Sequence, residues 1–277
     1  MSSLFGEEVV AFGTRHAKGP MVEPVLARCG LRVLEVPINT DRLGTFTPEQ
    51  PRRHDEVRTA AIKAARASRR LRTRLGLGSE GTFRPHPAVP ALSIDVETLV
   101  LRDRRTKTLV VEREVATTEV PRQVQIDSDH PLDAFLEQVG FPAQGIVISV
   151  PGSRGSQIKG IADLQALEAA IARLGTGSGP DGLLATTDLR AHLCPARRLV
   201  IERCAERLSE RLATPCPRCH EPGFGVAAAK PGLACSQCST PTSRASALEL
   251  ACPWCLHKEL QRLPGEADPS ECSRCNP

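Results

Sequence analysis

Aromatic residues are scarce in this sequence, at 3% of 277 residues, with one tryptophan and no tyrosine. A buried core must therefore consist mainly of aliphatic side chains and alanine, which the hydrophobic fraction of 40% can supply. No run approaches the roughly 18 apolar residues that a membrane span requires. The opening residues, MSSLFGEEVV, carry two acids and no basic residue, unlike a secretory signal. These absences predict a cytoplasmic protein without membrane contact.

A large excess of charge is also lacking. The 36 basic and 32 acidic residues give a net charge of +4, too small to indicate a nucleic-acid partner by itself. The Gly- and Ser-rich segment Pro151–Gly160 lacks the Gly-Lys-Ser/Thr ending of a P-loop. Lys159 there precedes a predicted helix whose start could bind an anion, although a flexible connection explains the segment equally well.

Cysteine, by contrast, is abundant and clustered. Eight of the eleven cysteines fall in the last 62 residues as four Cys-x-x-Cys pairs, namely Cys216/Cys219, Cys235/Cys238, Cys252/Cys255 and Cys272/Cys275. Each pair bends the backbone so that both sulfurs face one ion, and two pairs complete a tetrahedron. In a reducing compartment this count predicts two structural Zn²⁺ ions, whereas four disulfides would need a secreted module.

The sequence leaves open which two of the four Cys-x-x-Cys pairs, here called knuckles, share a metal ion. The gaps between successive pairs are 15, 13 and 16 residues, each long enough for a short hairpin. Pairing each knuckle with the next closes the shortest loops and so has the lowest closure entropy. We therefore expect Cys216/Cys219 to join Cys235/Cys238, and Cys252/Cys255 to join Cys272/Cys275. An interleaved cross-brace is the alternative.

The charge of the tail bears on its partners. Residues 214–277 hold six basic and six acidic residues, and their only aromatics are Phe224 and Trp254. Eight thiolates with two Zn²⁺ would bring the tail to about −4. A nucleic-acid-binding surface needs basic residues and usually aromatic side chains that stack on the bases. We therefore do not expect the tail to bind DNA or RNA.

Upstream of the tail, predicted strands alternate with predicted helices. Apolar runs at Val9–Phe12, Leu31–Val36 and Ile146–Val150 read as strands, and Ile94–Leu101 with Thr108–Val115 reads as a hairpin. Residues 53–75 and 196–212 have helical spacing. The pattern predicts an α/β fold, a mixed sheet flanked by helices over residues 1–213, with a small double zinc-ribbon appendage over 214–277.

Polar residues follow the predicted strands. Because ligands of open α/β sheets bind outside the carboxyl ends of the strands, these loops are expected to share one crevice. Cations and hydroxyls suit phosphate oxygens, and carboxylates suit a bridging Mg²⁺. The candidate ligand-binding residues are Thr14, Arg15, Lys18, Asp41, Arg42, Thr45, Lys159 and Arg190. The candidate catalytic residues are Glu80, His16, Asp188 and His192.

Residues 52–74 form the strongest basic run, with nine Lys/Arg against Asp55 and Glu56. A solvated helix face is the favoured interpretation, because apolar residues keep a buried stripe on the other side. A nucleic-acid surface is the alternative.

Cys29, Cys194 and Cys204 stand apart from the knuckles. Cys194 could be a nucleophile beside His192, but small buried residues explain all three more simply.

Several strings resemble an uncharacterised bacterial family that pairs an α/β domain of unknown function with a C-terminal zinc-ribbon region. They are Thr14-Arg-His-Ala-Lys18, Asp41-Arg-Leu-Gly-Thr-Phe46, Ser79-Glu-Gly-Thr-Phe83 and Thr187-Asp-Leu-Arg-Ala-His192, with the Cys-Asn-Pro ending. Cys194 and Ala196 depart from the Asn and Thr of that family. The resemblance implies a fold and a zinc region but no activity.

The first loop and the Gly44-Thr-Phe46 segment also resemble, more distantly, the inosine-triphosphatase-like nucleotide pyrophosphatases. The resemblance implies that Thr14 and Lys18 hold phosphates while Glu80 helps to bind Mg²⁺. The first loop differs in spacing by one residue, and Glu80 is single where that group has paired acids.

Three functions follow from these observations. The first is an enzyme that binds or hydrolyses a phosphorylated or nucleotide ligand, such as a Mg²⁺-dependent phosphohydrolase or nucleotide pyrophosphatase. The second is a non-enzymatic module whose zinc ribbons dock a partner protein. The third is nucleic-acid binding through the Arg-rich helix, and it ranks last.

Overall fold

The computed structural model describes residues 7–15, 17–38, 54–126, 132–153, 155–175 and 182–277. Within them the chain forms three sheets of five, four and three strands. Helices flank the first two sheets, so the mixed α/β class is confirmed. No helix among these residues is long and apolar enough to cross a membrane.

The first sheet has the strand order β2-β1-β3-β4-β5. Its strands are β1 (Glu8–Gly13), β2 (Leu31–Val36), β3 (Leu75–Pro85), β4 (Ser93–Asp103) and β5 (Leu109–Thr118). β1 pairs in parallel with β2 and with β3, while β4 and β5 continue antiparallel as the predicted hairpin. β3 pairs with β1 only as far as Gly78, so its second half extends beyond the carboxyl end of β1.

Three helices cover this sheet on its two faces. α1 (Gly19–Leu26) and α5 (Pro195–Ala213) pack together on one face, where they enclose an aliphatic core. α2 (Glu56–Leu71) packs over β1, β3 and β4 on the other face. The side chain of Asp55 accepts a hydrogen bond from the Arg58 N–H and so caps the start of α2.

Close packing of α2 depends on two glycines of β3. A Cβ atom at Gly78 would lie 1.9 Å from the Ala60 carbonyl oxygen, and one at Gly76 would lie 2.1 Å from that of Ala64. A side chain at either position would therefore push the helix off the sheet.

The second sheet is inserted between β5 and α5 and has its own core. Its strands are β6 (Gln123–Ile126), β7 (Ile146–Ser149), β8 (Gln157–Ile161) and β9 (Leu183–Thr187), in the order β6-β9-β7-β8. All its pairings are antiparallel, and α3 (Leu132–Val139) and α4 (Leu164–Gly175) belong to the same unit. The segment Pro151–Gly160 was expected to be a loop before a helix, but its end belongs to β8. Lys159 therefore lies on a strand.

The tail forms a three-stranded antiparallel meander. Its strands are β10 (Gly225–Pro231), β11 (Ala245–Ala251) and β12 (Lys258–Arg262), in that order. The meander begins directly after α5, and Arg211 at the end of that helix forms hydrogen bonds with it. The guanidinium of Arg211 donates to the carbonyl oxygens of Gly223 at 3.0 Å and of Val226 at 3.2 Å.

Candidate metal centres and a buried charged cluster

The four Cys-x-x-Cys pairs fold into similar knuckles. In three of them the residue after the second cysteine, His220, Ser239 or Leu256, has a positive φ near 60°. In the first two, the N–H of that residue donates to the carbonyl oxygen of the first cysteine at 2.9 Å. This tight turn aims both thiols of a pair to one side. The knuckle geometry is therefore a local consequence of the sequence.

The knuckles combine in the interleaved order. Cys216, Cys219, Cys252 and Cys255 form one group, and Cys235, Cys238, Cys272 and Cys275 form the other. In each group the four Sγ atoms lie within 4.8 Å of one another. The expected sequential pairing is therefore wrong.

Strand direction explains the interleaving. The start of β10 pairs with the end of β11 in the antiparallel sheet, so the knuckle before β10 lies beside the knuckle after β11. The end of β12 pairs with the start of β11, which places the last knuckle beside the second. Each gap between knuckles contains a single strand instead of a hairpin. Sheet hydrogen bonds thus outweigh the small entropic advantage of shorter loops.

The sulfur geometry fits a tetrahedral metal. Sγ atoms from different knuckles lie 3.8 Å apart for Cys216 and Cys255, and 3.6 Å apart for Cys219 and Cys252. In the second group the corresponding distances are 3.9 Å and 3.6 Å. A tetrahedral Zn²⁺ with Zn–S bonds of about 2.3 Å needs sulfurs about 3.8 Å apart. The donor set is soft thiolate throughout, which suits zinc and not magnesium.

Backbone donors and ring packing support the first tetrad. The N–H groups of Arg218 and Trp254 each donate to a cysteine Sγ at 3.4 Å. Trp254 turns its Nε1–H to the carbonyl oxygen of Pro222 at 2.7 Å, and the Phe224 and His257 rings stack at 6.0 Å. N–H donors to sulfur stabilise the thiolate form that a metal requires.

A second group of charged side chains is buried in the first sheet, at the carboxyl end of β1. Glu97 on β4 is 1% exposed and bridges two cations. Its Oε1 accepts from Arg197 Nε at 2.5 Å, and its Oε2 accepts from Lys18 Nζ at 3.1 Å. Burial by itself would raise the pKa of Glu97, but the charges of Arg197 and Lys18 outweigh it and hold the pKa below its usual value. Glu97 is therefore a carboxylate at neutral pH.

Asp95 lies two residues before Glu97 on the same face of β4 and is 1% exposed. Its Oδ1 has no hydrogen-bond partner in the described part of the chain. Burial, together with the charge of Glu97, raises the pKa of Asp95 to about 7, although Arg197 and Lys18 oppose the shift. Two neighbouring carboxyl groups thus have pKa values pushed apart, an arrangement that suits proton transfer.

On the opposite face of the sheet, Lys63 of α2 contacts Glu80 of β3. Lys63 Nζ donates to Glu80 Oε2 at 2.5 Å and to the Ser79 carbonyl oxygen at 3.1 Å. Glu80 is 7% exposed. The carboxylate that the sequence suggested for catalysis or Mg²⁺ thus has an ammonium group on one of its oxygens.

Asp188 and Arg190 lie in the second sheet unit, next to β8. The carboxylate of Asp188 accepts from the Gly160 N–H at 3.0 Å and from the N–H of Arg190 at 3.0 Å, and the Arg190 guanidinium contacts both its oxygens. Burial would raise the pKa of Asp188, but the hydrogen bonds and charge of Arg190 outweigh it and lower the pKa. This carboxylate braces the end of β9 against β8.

The predicted site residues therefore divide between two places. Thr14 and Lys18 are buried after β1, and Arg15 beside them is exposed. Lys159 on β8 and His192 in the turn before α5 are exposed. Arg197 joins the two places, because its NH1 donates to the carbonyl oxygen of Leu189. His16, Asp41, Arg42 and Thr45 lie outside the described residues.

Sequence reasoning missed four residues of this region: Lys63, Asp95, Glu97 and Arg197. A signal for two of them was present. Asp95 and Glu97 are acids at i and i+2 that alternate with the apolar residues Ile94 and Val96, so they share one face of the strand. Arg197 and Lys63 carried no comparable signal, because each is one basic residue among several on its helix.

The three remaining cysteines are buried, as expected. Burial raises the pKa of the Cys204 thiol to about 12 and also raises that of Cys194. The Cys29 thiol contacts the hydroxyl of Ser209 at 3.0 Å. High thiol pKa values disfavour the nucleophilic thiolate, so the structure favours a packing role for Cys194 and Cys204.

One protein-family model, a domain of unknown function (DUF6671), matches residues 63–277. The chain belongs to this family. The matched range contains all eight knuckle cysteines together with Lys63, Glu80, Asp95, Glu97 and Arg197, whereas Thr14 and Lys18 precede it. No curated protein and no solved structure matches the chain, so the resemblance to nucleotide pyrophosphatases has no support from relatives.

Proposed function

We propose that the protein binds two Zn²⁺ ions, one in each interleaved cysteine tetrad, and that both ions are structural. The observation that carries the proposal is the sulfur geometry, because the Sγ separations of 3.6–3.9 Å match a tetrahedral zinc–thiolate centre. Four protein ligands leave no open position for water or substrate, so such ions would hold the meander together and would not catalyse a reaction.

Metal analysis of the purified protein tests this proposal. Two zinc ions per chain are expected, with release of both when a mercurial reagent has titrated the eight knuckle thiols. Cys29→Ser is the matched control, because Cys29 contacts Ser209 outside the tetrads and should leave two zinc ions bound. A stoichiometry of zero or one zinc in the unaltered chain contradicts the proposal.

We further propose that the α/β domain binds a phosphorylated ligand beside the carboxyl end of β1. Two cations, Lys18 and Arg197, are brought there against the carboxylate of Glu97 on one face of the sheet, and Lys63 contacts Glu80 on the other face. Exposed Arg15 follows the same strand. Ligand crevices of open sheets lie at this end of parallel strands, and buried ion pairs are costly to keep for stability alone.

A binding screen with inorganic phosphate, pyrophosphate and nucleoside mono- and triphosphates tests the ligand proposal, with and without Mg²⁺. At a ligand concentration of 100 Kd, stabilisation of about 2.7 kcal/mol is expected. Arg15→Gln should weaken binding of the best ligand, whereas Arg173→Gln, an exposed arginine of α4, should not. If no anion raises the melting temperature, the α/β domain has no such site. Release of phosphate in the Mg²⁺ arm would extend the proposal to a phosphohydrolase.

The alternative is a docking role for the tail. Two large apolar side chains of the tail, Leu256 and Leu260, are 76% and 60% exposed, and every residue of β12 is exposed. In this interpretation Leu256→Ser with Leu260→Ser abolishes cellular function while zinc content stays at two ions. Under the ligand-binding interpretation Arg15→Gln abolishes function and the double serine variant does not.

A further inference from the structure

The two faces of the five-stranded sheet differ sharply in charge. The strand register places one set of residues on the face covered by α1 and α5 and the alternate set on the face covered by α2. Seven strand acids fall on the first face, namely Glu8, Glu35, Asp95, Glu97, Asp103, Glu112 and Glu114. No basic residue of the described strands shares that face.

The opposite face, here called the α2 face, has the reverse composition. It receives all four strand arginines, Arg32, Arg84, Arg102 and Arg113. Its one acid among the described strands is Glu80, and Lys63 neutralises that carboxylate. The chain has a net charge of only +4, but within the first sheet the acids other than Glu80 lie on one face and the arginines on the other.

Helix α2 adds four arginines to this face. Arg58, Arg66, Arg69 and Arg70 are exposed and lie at i, i+8, i+11 and i+12, which places them on the side of the helix away from the sheet. The buried residues Ala60, Ala64 and Ala67 occupy the other side. From Arg58 to Arg70 the helix rises about 18 Å.

Six of the eight arginines of the α2 face form no ion pair with described residues, whereas Arg84 contacts Glu56. In the described part of the chain, no ion pair involves Arg32, Arg58, Arg69, Arg70, Arg102 or Arg113. On the other face two cations of α5 are paired, since Arg207 and Arg211 both contact Glu112. The positive charge of the α2 face is thus available to an external partner.

We propose that the α2 face binds the phosphate backbone of double-stranded DNA. Arginine forks match phosphate oxygens in bidentate geometry, and a row of them about 18 Å long spans roughly half a helical turn of a duplex. Single-stranded nucleic acid would require stacking rings, and neither α2 nor the described strands place an aromatic residue on this face.

Other polyanions fit this surface less well. Of the exposed apolar side chains, Leu34 and Val115 lie on opposite edge strands of the sheet and Leu71 lies at the last position of α2, so they form no continuous patch that could insert into a membrane. The exposed side of α2 carries no hydroxyl or amide side chain for the 2′-OH groups of RNA. Guanidinium groups also bind carboxylates, and only the geometry of the contact favours phosphate over the flexible carboxylates of an acidic peptide. An acidic peptide is therefore included as a competing partner in the experiment.

The experiment measures anisotropy of a labelled 20-bp DNA duplex with the full-length protein between 50 and 200 mM salt. Each phosphate contact contributes about 0.9 to the slope of log Kobs against log[salt]. The slope for the variant R58Q/R69Q/R70Q should therefore be smaller in magnitude by about 2.7. The variant should also bind at least tenfold more weakly at 50 mM salt. The matched variant R28Q/R203Q/R262Q removes the same charge from exposed positions elsewhere and should bind like the unaltered chain.

The second variant R102Q/R113Q tests the strand residues of the same face and should lose about 1.8 from the slope. Circular dichroism melting establishes that each variant is folded. The proposal is overturned by absence of binding at 50 mM salt or by equal weakening in the two triple variants. Tighter binding to an RNA duplex, to phosphatidylserine vesicles or to polyglutamate than to the DNA duplex also overturns it. Zinc content and the phosphate screen report separately on the tail and on the buried cluster.

Discussion

At the scale of single residues, Glu97 is a buried carboxylate that joins distant segments of the described chain. It connects the loop after β1, through Lys18, with the start of α5, through Arg197. Arg197 in turn reaches the Leu189 carbonyl oxygen at the end of the inserted unit. One carboxylate thus ties together segments that are 79 and 100 residues away in sequence. All three charged groups are almost completely buried.

Replacement of Glu97 by Gln should therefore be severely destabilising. The substitution leaves the ammonium of Lys18 and the guanidinium of Arg197 buried without the carboxylate that both contact, which costs about 3–5 kcal/mol of unfolding free energy. Urea denaturation measures this loss. Glu119→Gln, an exposed ion-pair residue that follows β5, is the control and should leave the midpoint nearly unchanged. A loss below about 1 kcal/mol for Glu97→Gln would show that the cluster contributes little to stability.

Asp95 should make stability depend on pH. Its pKa of about 7 in the folded protein lies above the ordinary value near 3.9, so the folded state keeps a proton that the unfolded state loses between these values. Stability from this group is complete below about pH 4 and is lost as pH rises to about 7. The facing charges are Glu97, Arg197 and Lys18.

Asp95→Asn removes this dependence. The variant should exceed the unaltered protein in unfolding free energy at pH 8, by at most about 4 kcal/mol, and the difference should shrink towards pH 4. Urea denaturation at several pH values measures it. Asp133→Asn on the exposed start of α3 serves as control. Parallel pH profiles for the Asp95 variant and the unaltered chain would mean that Asp95 is ionised at neutral pH.

At the scale of secondary structure, local pattern predicted the helices and several strands but not β3, β6 or β8, and Glu80, expected in a loop after the long helix, lies on β3. The alternation at Ile94–Leu101 and Thr108–Val115 predicted the β4–β5 hairpin, and the apolar stripe of residues 53–75 predicted α2. β8 was missed because its five residues follow a Gly- and Ser-rich stretch and have two exposed positions. Its place is fixed by pairing with β7, a non-local contact that the segment's own composition does not reveal.

The contact between α2 and β3 should tolerate no side chain at Gly78. Gly78→Ala puts a methyl group against the backbone of Ala60, which cannot move without displacing the helix, so a loss of about 3 kcal/mol is expected. Gly175→Ala is the control, because nothing lies within 4 Å of a Cβ there. Thermal melting compares the two variants. Similar melting temperatures would show that α2 can shift outwards at little cost.

Paired cysteine variants distinguish the two knuckle arrangements. In the interleaved arrangement C216S/C252S removes ligands from one site and should leave one zinc ion, whereas C216S/C235S damages both sites. Sequential pairing would give the opposite result, with both ions lost from C216S/C252S. Native mass spectrometry counts the ions in each variant. Retention of one zinc ion by C216S/C235S alone would refute the interleaved arrangement.

At the scale of the whole molecule, the chain consists of two α/β units and a meander that α5 connects to the first of them. The core of the first sheet contains residues from β1 to α5 but none from the tail, and the tail has its own small cluster around Phe224. The tail should therefore depend on its metal, while the two α/β units should not.

Zinc removal should unfold the tail selectively. Trp254, the only tryptophan of the chain, lies between Cys252 and Cys255 and lines a cleft with Val110 and Leu212, so it reports on the first tetrad and its junction with the first sheet. A chelator should shift its fluorescence to longer wavelength, while the helical circular dichroism signal persists because all five α-helices precede the tail. Loss of helical signal in parallel with the fluorescence change would instead mean that the tail stabilises the whole molecule. Addition of magnesium in place of zinc should not restore the fluorescence.

The sequence by itself determined the local features: the four knuckles, the helix caps and the alternation of strands, because each depends on neighbours a few residues away. Tertiary structure decided the features that join distant segments. It set the interleaving of the knuckles through strand direction and gathered Lys18 and Arg197 around the carboxylate of Glu97. It also separated acids from arginines across the first sheet. Each of these depends on strand register and pairing, which are set by non-local packing and which no short segment encodes.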